Sequence, residues 1–324
     1  MISSRAILVL LALALTSCAG TSADYASNAL QATVKPNKSC AARLAGNSVE
    51  ITYAAETDSG RKVPLTVFMP EKAGVYPVAA FSHGAYASPT RYRKMLAPLA
   101  AAGYIIIAPM HVDSEEFGSQ ETPSRAVTWT TRNEDFALAL TPPDVLLESL
   151  AASGYYADTG KTAALGHSYG ALIAHLAGGA MANEPDGSVM SHRNDQVDLV
   201  VGWSPPGPFP GMMEAEGWST LAKPTLTITG TNDILPGLID DWRDHAAAYD
   251  FGPLGYRALW VGDGIDHYFG GVFGREKPAD ENSIKLFQRA LEVSLNFMDR
   301  KIGKDSACTL EPSFAGEQYQ EDEA

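Results

Sequence analysis

Basic residues are in short supply in this 324-residue chain. Against 24 Lys and Arg stand 38 Asp and Glu, a formal charge of −14 with a pI near 4.9. That balance argues against nucleic acid and anionic membrane surfaces as partners, and solubility is the plain reading of it. Long apolar runs are missing too: Ala6 to Leu15 is too short to span a bilayer. No period repeats and no low-complexity tract interrupts the chain, so a composition 45% hydrophobic and 19% charged implies one large core. Cysteines number only three. Cys40 and Cys308 flank the body and allow a single pairing, which would staple the two ends together. Two separate thiols are the alternative, and their distance in space decides between them.

The first residues read as an export signal: Arg5, the run Ala6 to Leu15, then Leu15-Thr16-Ser17-Cys18. Leu-x-small-Cys is similar to the bacterial lipobox, which makes Cys18 the expected lipidation site and the only expected link to a membrane. An ordinary signal peptide cut after Ala23 is the alternative. Ala19, following Cys18, favours the outer membrane under enterobacterial-type sorting. Either way the chain is expected outside the cytoplasm, where a disulfide is permitted. The expected organisation is a signal peptide at 1–17, a linker at 18–44, a folded domain at 45–303 and a tail at 304–324, frayed from Glu317.

Within the domain, Ser48 to Ala54 and Val63 to Met69 read as a hairpin across Asp58-Ser59-Gly60. Val78 to Phe81, Tyr104 to Ala108, Lys161 to Gly166, Asp198 to Ser204, Pro224 to Gly230 and Tyr256 to Gly262 read as further strands. Helices are expected over Arg91 to Ala102, Asn133 to Ala152 (broken at Pro142-Pro143), Tyr169 to Ala182, Asp240 to Tyr249 and Ser283 to Lys301. Alternating strands and helices predict an α/β fold: a mostly parallel central sheet with helices on both faces. The polar stretch 183–195 is either an excursion over the site or a surface loop.

Gly166-His167-Ser168-Tyr169-Gly170 has the G-x-S-x-G form of a nucleophile elbow, placed between a strand and a helix. A Cβ at either glycine would clash with a neighbouring element. In α/β-hydrolases the partners follow in the order Ser, acid, His, each after a later strand. Asp233 follows one such strand and His267 the next. The expected triad is therefore Ser168 as nucleophile, His267 as base and then acid, and Asp233 fixing the imidazole tautomer. Two backbone N–H groups must receive the developing oxyanion. Tyr169 supplies one, and Ala85, in the loop Ser82-His83-Gly84-Ala85-Tyr86, supplies the other.

The rivals read as structural. Asp263 and Asp266 are too near His267 in sequence to orient it, and shape its turn. His245 reads as a solvated helix residue paired with Asp241. His83, His167 and His175 sit on or beside the site's strands and helix. His111 with Asp113, Glu115 and Glu116 has no known ligand spacing and reads as a wet loop, and His192 sits in a polar loop. No metal and no cofactor are expected. Tyr86, Trp203, Pro205 and Met212 are candidates for the substrate pocket, with packing of a lid as the alternative reading of such apolar loop residues.

These motifs resemble the platelet-activating-factor acetylhydrolases and the related dienelactone-hydrolase-like esterases. The likeness lies in Phe81-Ser82-His83-Gly84 with Thr90-Arg91-Tyr92, in 102–111, in Gly166 to Gly170, and in Asp233 with Asp266-His267. It covers roughly residues 45 to 300 and implies an α/β-hydrolase fold with metal-free hydrolysis of small carboxylic esters of short or polar acyl groups. Dienelactone hydrolases proper use a cysteine nucleophile, so Ser168 sets dienelactone aside as the expected substrate. Two further enzyme readings, a lipase or polyester hydrolase and a peptidase, use the same triad. From another class, a non-catalytic envelope lipoprotein on this scaffold predicts decay of at least one catalytic position, and none is decayed here.

Overall fold

The computed structural model describes residues 38–118, 122–273, 279–303 and 307–322. The chain from Asn37 onward is one compact unit. The export signal and Cys18 lie outside the described residues.

Nine strands form one sheet, in the order β1-β2-β4-β3-β5-β8-β9-β10-β11. They are β1 (Ser48–Glu56), β2 (Lys62–Pro70), β3 (Gly74–Ser82), β4 (Ile105–Pro109), β5 (Tyr155–His167), β8 (Val197–Trp203), β9 (Thr225–Asn232), β10 (Arg257–Asp266) and β11 (Glu317–Glu321). A separate two-residue pair, β6 (Ala182–Asn183) with β7 (Val189–Met190), stands apart. The six strands from β4 to β10 are parallel; β2 pairs antiparallel with β4 and β1 antiparallel with β2 at one side, and β11 is antiparallel to β10 at the other. Strands covered on both faces need apolar residues at every position, and all five residues of β4 (IIIAP) are buried.

Alternate residues feed two cores. Ala79, Phe81 and Ile106 join α2 (Arg93–Ala101) and α7 (Glu281–Lys301), while Val78, Ala80, Ile105 and Ile107 join the helices of the other face. Those are α3 (Arg125–Leu140), α4 (Asp144–Ala152), α5 (Tyr169–Gly178) and α6 (Ala247–Phe251). The α/β expectation is met.

Several bounds move, each for a local reason. Helix α3 starts at Arg125 rather than Asn133, because Ser124 Oγ accepts the Val127 N–H as its cap. The prolines at 142 and 143 separate α3 from α4 outright. Helix α5 ends at left-handed Gly179 instead of running to Ala182. The tail expected to fray is a correction: Glu317–Glu321 closes the sheet as β11 on β10. Its carboxylates find cations distant in sequence, Glu317 on Arg289 and Glu321 on Arg300 and Lys301. The expected linker is likewise ordered at its end as α1 (Cys40–Leu44). Cys40 and Cys308 form a disulfide, with Cα atoms 4.9 Å apart.

Candidate active site

Ser168 sits between β5 and α5 at φ 54° and ψ −124°, a conformation side chains rarely adopt and hold only under constraint. The constraint comes from packing. A Cβ at Gly166 would lie 2.2 Å from the Gly170 carbonyl oxygen, and one at Gly170 would lie 2.0 Å from that of Ser82. Strand, turn and helix close on each other only through those two hydrogens. The Ser168 N–H also donates to the Trp203 carbonyl of β8 at 2.9 Å.

The ends of β9 and β10 bring Asp233 and His267 to this serine. Ser168 Oγ lies 2.9 Å from His267 Nε2, and His267 Nδ1 donates to Asp233 Oδ1 at 2.7 Å. Thr229 Oγ1 donates to the other carboxylate oxygen at 2.8 Å. Both Asp233 and His267 are buried. Burial alone would raise the Asp233 carboxyl; hydrogen bonds and charge from two imidazoles more than offset this and hold it far below the carboxylate range. Asp266 accepts the N–H groups of Tyr268 and Gly270, and Asp263 accepts the Thr231 hydroxyl, so both shape the turns beside His267.

The loop Ser82 to Tyr86 is braced from behind by a polar network that its sequence did not announce. Arg132 of α3 is fully buried. It donates to the carbonyls of His83 (2.7 Å) and Gly84 (3.1 Å), and forks onto both oxygens of Asp113 at 2.9 and 2.8 Å. Asp113 accepts the Tyr86 N–H at 3.2 Å, and the Arg132 guanidinium lies 4.6 Å from the Tyr169 ring. One cation thus holds the residues on both sides of Ala85 and the ring of Tyr169. Burial would raise Asp113, but Arg132 holds it down to about 2. His111 and Asp113 are buried, correcting the wet-loop expectation. His111 bonds Ser82 and Asp135, Glu115 pairs with Arg91, and Glu116 accepts from Ser88.

A second link joins this loop to His267. The Gly84 N–H donates to Tyr92 Oη, Tyr92 Oη donates to His167 Nδ1 at 2.8 Å, and His167 Nε2 donates to the His267 carbonyl at 2.9 Å. Burial and the neighbouring imidazoles push His167 down to about 3, which keeps it neutral for this bridging. His175, also neutral, accepts from Trp218 Nε1.

His245 is the main correction among the rivals. It is fully buried rather than solvated, and its Nε2 lies 2.9 Å from Asp233 Oδ1. Among the described residues, only Asp233, His245 and His267 bring three His, Cys, Asp or Glu ligand atoms within 4.8 Å of one another. Of the two ring nitrogens nearest Asp233 Oδ1, His267 Nδ1 is hydrogen-bonded to it and His245 Nε2 lies at contact distance.

Ser168 opens into a cavity of about 390 Å³ lined by Ala85, Tyr86, Tyr169, Pro206, Phe209, Met212, Leu235, Leu238 and Ile239, with Asp113 and Arg125 at its polar parts. Tyr86 and Met212 line this cavity, as do Ala85 and Tyr169 with the serine. As the first residue of α5, Tyr169 has an N–H with no helical partner. Trp203 is a correction. Its ring is buried against Phe269, Phe273 and Phe287, because the inward phase of β8 points it into the core. Pro205 is another: it is buried and lends its carbonyl to His245, and Pro206 lines the cavity instead. None of 183–195 lines this cavity; Asn183 and Glu184 border a neighbouring depression.

A mostly parallel sheet, an elbow after β5 and partners at the ends of β9 and β10 define an α/β-hydrolase fold. The sequence model of the family described as Chlorophyllase matches residues 40–184, a span holding the loop Ser82 to Tyr86, Arg132 and Ser168. In structure the chain is similar to a protein assigned as a dienelactone hydrolase from Klebsiella pneumoniae subsp. pneumoniae, with a TM-score of 0.51 and 17% identity over 79% of this chain and 99% of that one. No curated protein sequence matches.

Proposed function

We propose that this chain is a serine hydrolase of carboxylic esters. The observation that carries the reading is the unbroken line from Ser168 Oγ through His267 to Asp233 at the floor of an apolar cavity. Ser168 Oγ attacks the ester carbonyl as its proton passes to His267 Nε2. The oxyanion is received by the N–H groups of Ala85 and Tyr169. His267 then protonates the leaving alcohol, and water, activated by the same imidazole, releases the acid. Of the short-acyl and polar esters expected from the sequence, the lining by Phe209, Met212, Leu235 and Ile239 favours a short apolar group. The enzyme works outside the cytoplasm, anchored through lipid on Cys18; the lipobox and the Cys40–Cys308 bridge support this.

The test is Ser168→Ala in the purified protein. Hydrolysis of an aryl acetate should fall at least about a thousand-fold, with organophosphonate labelling lost and circular dichroism unchanged. Near-wild-type turnover would remove the serine from the chemistry. A chain-length panel of aryl esters should peak at short acyl groups.

A further inference from the structure

We infer that His245 is a positioning residue of the catalytic cluster: a buried imidazolium that clamps Asp233 and offsets part of the negative charge this carboxylate presents to His267. The inference rests on the serine-hydrolase reading of the site.

Atom by atom, the surroundings leave His245 little choice of proton. Its Nδ1 lies 2.7 Å from the Pro205 carbonyl oxygen, which only accepts, so Nδ1 carries a hydrogen. Its Nε2 lies 2.9 Å from Asp233 Oδ1. That carboxylate is ionised and has no hydrogen to give. A bare lone pair on Nε2 would then face a negative oxygen at contact distance, whereas a hydrogen there turns repulsion into attraction, even though the alignment falls short of a good hydrogen bond. Both nitrogens are therefore protonated, and the ring is a cation. Burial works against that charge, but the Asp233 carboxylate outweighs it and raises His245 above its ordinary value.

Among the described residues, Asp233 is the charged group in contact with His245. From β10 the facing group is the His267 ring, 5.5 Å away, and from β5 it is His167, which is neutral. On the segment carrying His245, Asp241 pairs with Arg243 and both are exposed, as is Asp244.

Two consequences follow. Asp233 is held from three sides, by His267 and His245 on Oδ1 and by Thr229 on Oδ2, so it cannot swing away from the base. The pair Asp233 and His245 is also close to neutral as a unit. A lone carboxylate would hold a proton on His267 more tightly, and only the neutral imidazole accepts the serine proton. His245 thereby extends activity towards lower pH. A unit charge 5.5 Å away, at an effective dielectric of about 20 to 40, corresponds to about 1 to 2 pH units.

The test has two arms. In the wild-type full chain labelled with ¹⁵N-histidine, both ring nitrogens of His245 should resonate as protonated at neutral pH. A signal from an unprotonated nitrogen overturns the inference, whatever the variants do. In His245→Gln, which keeps a donor but loses the charge, the acid limb of kcat/KM against pH for an aryl acetate should move up by about 1 to 2 pH units. A lowered kcat with an unmoved limb marks a merely structural residue and also overturns it. An active Ser168→Ala would defeat the hydrolase reading but leave the ¹⁵N result standing, so the two failures are distinct.

Discussion

Arg132→Met tests how the loop Ser82 to Tyr86 is held. The substitution keeps a long apolar side chain but withdraws a fully buried cation from Asp113 and from the carbonyls of His83 and Gly84. Breaking a buried pair by removing one partner costs about 3–5 kcal/mol. The parts put the loss at or above the top of that range. A carboxyl held at about 2, against an ordinary 3.8, contributes about 2 kcal/mol. The two charge-assisted bonds to carbonyls add about 1.5–3 kcal/mol each. Because Asp113 is depressed, its share is present above pH 3.8 and lost as pH falls towards 2, so wild type and variant should converge in acid. Urea unfolding at pH 7 and at pH 3 measures this. On the folded variant, kcat should fall about a hundred-fold with KM little changed, since a misplaced oxyanion donor costs about that much. A variant that loses less than about 1 kcal/mol and keeps wild-type kcat would refute the bracing argument. Arg132→Met combined with Asp113→Asn should regain part of the stability but not the turnover.

Three further outcomes are expected. Asp233→Asn should lower turnover by about 10³ to 10⁴, while Asp263→Asn and Asp266→Asn, which disturb only turns, should each cost about ten-fold or less; a dead Asp266→Asn beside an active Asp233→Asn would reassign the acid. Cys40→Ser opens a loop spanning 268 residues. Chain entropy puts its loss at up to about 5–6 kcal/mol, and an unchanged urea midpoint would show that the ends hold without the bridge. Cys18→Ala should move the protein from the membrane pellet to the soluble fraction, and a wild-type protein soluble without detergent would favour cleavage after Ala23.

Ser168, Asp233 and His267 were legible because each stands just past a strand whose apolar run marks its end. The fold brings them within hydrogen-bond reach in that order. The alternation of β and α segments carried the fold class for the same reason: burial on both faces writes itself into consecutive residues. Arg132 and His245 left no such mark. Each is a single polar residue in a helical segment, and a sequence pattern cannot distinguish a side chain facing solvent from one facing a buried carboxylate. Trp203 failed in the opposite sense, since a strand end near a site offers either face.

The sequence by itself determined the layered α/β architecture, the elbow and the chain order of Ser168, Asp233 and His267, because these depend on local periodicity and on glycines that no other residue replaces. Tertiary structure alone decided which polar groups meet around Asp233, which cation braces the loop Ser82 to Tyr86 and which apolar residues face the cavity. It also decided that the acidic tail becomes a strand and that Cys40 meets Cys308. Those outcomes depend on partners tens to hundreds of residues apart, and burial without water turns each such meeting into a requirement for the right hydrogen or charge.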